Sequence, residues 1–65
     1  MKDIGETIKN RRQKLGITQL TLAQLANVGI NTIVAIERGE GNPRLKTLKS
    51  ITDTLGLQIN VKLKE

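Results

Sequence analysis

The stretch that most narrows what this chain can fold into is a pair of short, apolar-periodic segments with a break between them. Leu22, Ala23, Leu25 and Ala26 recur at helical spacing, as do Ile33 and Ile36, so each segment reads as a short helix that buries one face. Thr18 precedes the first segment with a hydroxyl suited to capping a helix start. Asn27-Val28-Gly29 separates the two, and Asn is one of the few non-glycine residues that tolerate the left-handed backbone a tight break requires.

Two helices joined by so short a turn form a helix-turn-helix unit, whose second helix can enter a DNA major groove. Pairs of short helices are also ordinary packing units, so charge and composition have to supply the context. Eleven Lys and Arg oppose six Asp and Glu across 65 residues, a formal net charge of +5. Such a balance favours polyanionic partners, nucleic acid ahead of an anionic membrane face. Phe, Tyr and Trp are absent, which argues against RNA and single-strand binders that stack bases on aromatic rings. Without Cys or His, neither a disulfide framework nor the usual zinc clusters are available. No stretch approaches the roughly 20 apolar residues of a membrane span, and the N-terminus has no signal-peptide apolar region. The expectation is a cytoplasmic protein without membrane association.

Residues 1–65 read as one small domain, near the lower size limit for folding without metal or disulfide. A first helix is expected over about 3–15, with Ile4, Ile8 and Leu15 on its apolar stripe and Gly16 as a left-handed C-cap. Ile17 enters the core, and further helices follow over about 18–26 and 30–38, the last ended by Gly39. Glu40-Gly41-Asn42-Pro43 forms the loop, with Asn42 as N-cap and Pro43 at the first position of a fourth helix over about 43–55. Leu45, Leu48, Ile51 and Leu55 mark its apolar face, and Gly56 closes it. After Gly56 the period changes: Leu57, Ile59, Val61 and Leu63 alternate with Gln58, Asn60, Lys62 and Lys64, the repeat of a half-buried strand over 57–64. A lone strand cannot satisfy its backbone within one monomer, so antiparallel pairing with a second copy is the expected solution; a frayed tail is the alternative.

For duplex DNA, the informative positions are those the third helix turns away from Ile33 and Ile36: Ile30, Asn31, Val34 and Ala35, with Arg38 at the far end. Asn31 can pair bidentately with adenine, and Ile30, Val34 and Ala35 can meet thymine methyl groups. Ile30 and Val34 can equally face the core or a protein partner. Gln19 opens the second helix, whose free N–H groups can receive a phosphate. Arg38 and Arg44 flank the loop as phosphate clamps or minor-groove arms. Arg12, beside the first apolar stripe, and Glu37, on the buried face of the third helix, make sense together as a partly buried ion pair that sets the angle of that helix. Catalysis is not expected: the six carboxylates are scattered, no phosphate-binding glycine loop is present, and so short a chain leaves little room for a substrate pocket. No cofactor or metal is implied.

Ile4-Gly5-Glu6-Thr7-Ile8, Arg12, Leu15-Gly16-Ile17-Thr18-Gln19, Leu22-Ala23, Ala26, Val28, Thr32-Ile33, Ile36-Glu37-Arg38-Gly39, Asn42-Pro43 and Leu55-Gly56 together resemble the Xre/Cro–C1-type helix-turn-helix domain. The likeness covers about 4 to 56, and the terminal strand makes the chain similar to the HipB-like antitoxin branch. The resemblance implies an all-α, four- to five-helix lambda-repressor-like domain with one C-terminal β-strand pairing across a homodimer. It places Asn31, Ala35 and their neighbours Gly29, Ile30, Thr32 and Val34 at base edges, Gln19, Arg38 and Arg44 at the backbone, and Arg12 with Glu37 in an internal ion pair. Leu57, Ile59, Val61 and Leu63 would form the dimer strand. The function implied is a sequence-specific repressor on a palindromic operator, or alternatively an antitoxin that holds a HipA-like kinase toxin and represses its own operon. Three departures stand out: Asn27 where the family commonly has a turn glycine, Gly29 where a capping serine is usual, and Arg11 at a commonly apolar position, which should loosen the first helix or send the guanidinium outward.

Overall fold

In a computed structural model that describes residues 2–60, four helices account for all the regular structure of those residues. They are α1 (Lys2–Lys14), α2 (Gln19–Ala26), α3 (Ile30–Glu37) and α4 (Leu45–Thr54). No single helix among them is long and apolar enough to cross a membrane.

All four helices stop in the same way. Within two residues of each helix end the chain adopts left-handed backbone: Gly16 at φ 71°, Asn27 at 58°, Gly39 at 76° and Gly56 at 72°. Around each of them, one amide reaches back three residues and the next reaches back five, as in Gly16 N to Gln13 O (3.0 Å) and Ile17 N to Arg12 O (3.3 Å). This is the Schellman stop, which satisfies carbonyls the helix would otherwise leave open. The motif also turns the following side chain back onto the helix. Ile17, Val28 and Leu57 occupy that position after α1, α2 and α4, and all three pack against the core. Glu40 occupies it after α3 and is exposed.

The core is aliphatic: Ile8 of α1, Leu22, Ala23 and Ala26 of α2, Ile33 and Ile36 of α3, and Leu48, Ile51 and Leu55 at α4. α3 lies between α1 and α2, while α4 packs on α2. Ser50 Oγ donates to Ala26 O at 2.6 Å, fastening α4 to the carbonyl end of α2.

Packing corrects several expectations. Ile4 and Leu15 are exposed; the buried face of α1 is Gly5, Ile8 and Arg12. Gly5 is the reason: it brings the α1 backbone against the carbonyl end of α3, and Ile4 and Leu15 lie off that line of contact. Leu25 is 63% exposed and Leu45 67%. Leu22, Ala23 and Ala26 already fill the face α2 presents to α3 and α4, with Leu25 just beside it, whereas Leu45 sits at the very start of α4, past the edge of the core. α4 also starts later than expected. It opens at Leu45, after Arg44 in extended conformation (φ −68°, ψ 152°), and no side chain caps it. Glu40–Pro43 are instead committed to the loop that lies against α3, so the helical run begins only after Arg44. Beyond α4, Leu57–Asn60 run without regular structure. The remainder of the expected strand, including Val61 and Leu63, lies outside the described residues.

Candidate nucleic-acid interface

The chain turns through 118° between α2 and α3, within the range that lets a second helix project from its support. The support is local. Thr18 caps α2 by accepting from Thr21 N at 3.0 Å, and Val28 N donates to Ala23 O at 3.0 Å. Gly29 precedes α3 with no side-chain cap, so the first N–H groups of α3 carry no capping oxygen from that residue.

α3 divides cleanly into two faces. Ile33, Ile36 and Glu37 are buried. Ile30 and Asn31 are exposed, Thr32, Val34 and Ala35 half-buried, and Arg38 exposed just past the helix end. Asn31, Thr32 and Ala35 border a shallow hollow of about 300 Å³ whose other wall is the loop Glu40–Pro43. Nothing in the periodicity ties that loop to the outward face of α3. Gly41 makes it possible: its φ of 79° curls the loop back until a Cβ there would sit 3.7 Å from Ala35 Cβ. Arg44 is exposed where the loop enters α4.

The end of α3 is held by a charged network. Arg12 Nε donates to Glu37 Oε2 at 2.7 Å and Nη2 to Oε1 at 3.0 Å, a bidentate fork with side chains 11% and 3% exposed. Arg12 Nη1 donates to Ile17 O at 2.9 Å. Gln19 Nε2 completes the set, donating to Glu37 Oε1 at 3.1 Å. The expected ion pair is thus present, and Gln19 belongs to it: one of its two amide protons is committed inward. Among the described residues, no buried side-chain nitrogen or oxygen lacks a hydrogen-bond partner.

Arg11 does not point away from the protein. Its Nε donates to Leu55 O at 2.9 Å, placing a cation at the carbonyl end of α4, where the helix dipole favours it. Neither this bond nor the one from Ser50 left a trace in the periodicity, because each joins residues more than a helix apart in sequence.

Residues 8–61 match the model of a helix-turn-helix family. Over 57 residues the chain is 37% identical to an immunity repressor protein of Bacillus phage phi105, a match covering 88% of this chain and 40% of that protein. It is 40% identical over 50 residues to an uncharacterized HTH-type transcriptional regulator of Haemophilus influenzae, covering 77% of this chain and 51% of that one. A third relative, the HTH-type transcriptional regulator DdrOP3 of Deinococcus deserti, is 31% identical over 55 residues, 85% of this chain and 43% of its own length. The matched region is therefore about half of each relative or less.

Proposed function

Since the chain belongs to the Xre-type helix-turn-helix family, we propose that it is a sequence-specific, duplex-DNA-binding transcriptional repressor that acts as a homodimer on a palindromic operator. The observation that carries this reading is the outward face of α3, with Ile30 and Asn31 exposed and Val34 and Ala35 half-buried, on a helix whose far end is clamped by the Arg12–Glu37 fork. Asn31 reads adenine, donating to N7 and accepting from N6, while the apolar neighbours contact thymine methyl groups. Gly29 and Thr32 border the same groove edge. The start of α2 with the second amide proton of Gln19, together with Arg38 and Arg44, holds phosphates on either side. Relatives named as a repressor and as regulators favour this reading over that of an antitoxin for a HipA-like kinase.

Pairing of residues 57–64 from two copies would supply the two-fold axis, and reading successive major grooves requires the two α3 helices to lie about 34 Å apart, one turn of duplex. Leu57 already rests on the core, and next to it Ile4, Leu48 and Ile59 border an apolar groove of about 280 Å³ that such pairing would cover. Each protomer brings a formal charge of +5, so affinity should fall steeply as salt rises, by roughly 0.9 log unit per log unit of salt for each phosphate neutralised. Fluorescence anisotropy on selected genomic fragments at several salt concentrations tests the reading. Binding that ignores salt, or that no duplex elicits, refutes it. Sedimentation of a chain ending at Gly56 tests the pairing: a monomer is expected, and a persistent dimer moves the interface elsewhere.

A further inference from the structure

Gly5 lies near the start of α1, inside a helix, where a glycine is less favourable than alanine because it gives up more backbone freedom and contributes no packing. The structure explains its presence. A Cβ built on Gly5 would fall on the carbonyl oxygen of Ile36, inside the 3.0 Å limit that real Cβ atoms keep, and 3.2 Å from the carbonyl oxygen of Glu37. Both obstacles are backbone atoms at the end of α3, so no rotamer change can clear them. Seven residues on, two turns along the same face of α1, Arg12 grips the side chain of Glu37. α1 therefore meets the end of α3 twice, once by bare backbone approach at Gly5 and once by the ionic fork.

We propose that Gly5 is a positioning residue for DNA reading: the side-chain-free approach of α1 to Ile36 and Glu37 sets the depth and tilt at which α3 presents Asn31 and Ala35. The proposal rests on α3 being the reading helix. A methyl group at position 5 pushes the carbonyl end of α3 away from α1. The displacement carries Asn31 and Ala35 with it, because α3 is a rigid eight-residue helix. Bidentate contacts to a base edge tolerate little change in distance or angle. Phosphate contacts act through charge and adjust through long side chains, so they are far less sensitive. The consequence is a loss of sequence discrimination rather than a general loss of DNA binding.

The test compares Gly5→Ala with the wild-type chain by anisotropy, on the genomic fragments the wild type selects and on random-sequence duplex, with far-UV circular dichroism to measure the folded fraction. Ile51→Val, which removes one methylene from the core on α4 and leaves the Gly5 approach to the carbonyls of Ile36 and Glu37 without an added atom, serves as the stability control. For Gly5→Ala, affinity for selected fragments should fall about tenfold or more, while affinity for random duplex changes less than about threefold once corrected for folded fraction. Ile51→Val should keep the wild-type ratio between the two. If Gly5→Ala is partly unfolded, the same titrations are run in trimethylamine oxide, which favours the compact state. Wild-type discrimination by folded Gly5→Ala overturns the proposal, as does an equal loss in Ile51→Val. A Gly5→Ala chain that stays unfolded even in the osmolyte also overturns it, because Gly5 would then be a requirement of the fold and not of helix placement. Failure of the wild-type chain to select any fragment refutes instead the assignment of α3 as the reader.

Discussion

Replacing Glu37 by Gln keeps the shape of the side chain and removes its charge, so it isolates what the fork contributes. Glu37 accepts three hydrogen bonds, two from Arg12 and one from Gln19. An amide offers one oxygen in place of two and turns its NH₂ toward an N–H donor, so at least one charge-assisted bond is lost, a cost of about 1.5–3 kcal/mol. Arg12 also keeps its charge in a site where its side chain is only 11% exposed, and breaking a fully buried pair costs about 3–5 kcal/mol. Two things soften the loss: Arg12 Nη1 retains Ile17 O at 2.9 Å, and the amide oxygen still accepts. The balance is a destabilisation of about 2–3 kcal/mol, a large part of what a domain this small has, at roughly 0.05–0.15 kcal/mol per residue. The melting temperature should drop by about 10–20 °C. Because the chain has no aromatic residue, unfolding in urea is followed by far-UV circular dichroism, at several protein concentrations so that association is separated from folding. A loss below about 0.5 kcal/mol would refute the claim that the fork is desolvated, and with it the account of how the end of α3 is held.

Arg11→Met removes the hydrogen bond to Leu55 O while keeping the apolar stem. Stability should fall by about 0.5–1.5 kcal/mol, with hydrogen exchange accelerating first at the end of α4. Leu22→Ala and Leu25→Ala make the same change three residues apart on α2, yet the first residue is fully buried and the second exposed; urea unfolding should register about 2–5 kcal/mol for the first and under about 0.5 kcal/mol for the second. Asn31→Ala, measured against fragments altered one base pair at a time, should cost about 1–3 kcal/mol of binding and relax preference at a single adenine. Retained preference there would take Asn31 off the base edge.

The helix ends and the charged pair were legible in the residues themselves. Gly16, Asn27, Gly39 and Gly56 stop their helices through backbone angles and hydrogen bonds spanning six residues or fewer, so the instruction and its effect lie in one short segment. Arg12 and Glu37 were readable because a charge on a buried face is costly without a partner. What the tertiary structure decided depends on neighbours far away in the chain. Periodicity grouped Leu25 with Ala26 and Ile4 with Ile8, but the burial of each was settled by where α3 and α4 lie and by how closely Gly5 lets two backbones approach. The same holds for α4, whose start was displaced past Pro43 because the residues before it lie against α3, and for Gln19, one of whose amide protons is taken by a carboxylate on another helix. Local backbone preference acts within a turn of helix and can be read in order along the chain, whereas burial and hydrogen-bond partnership are properties of surfaces that exist only once the helices have met.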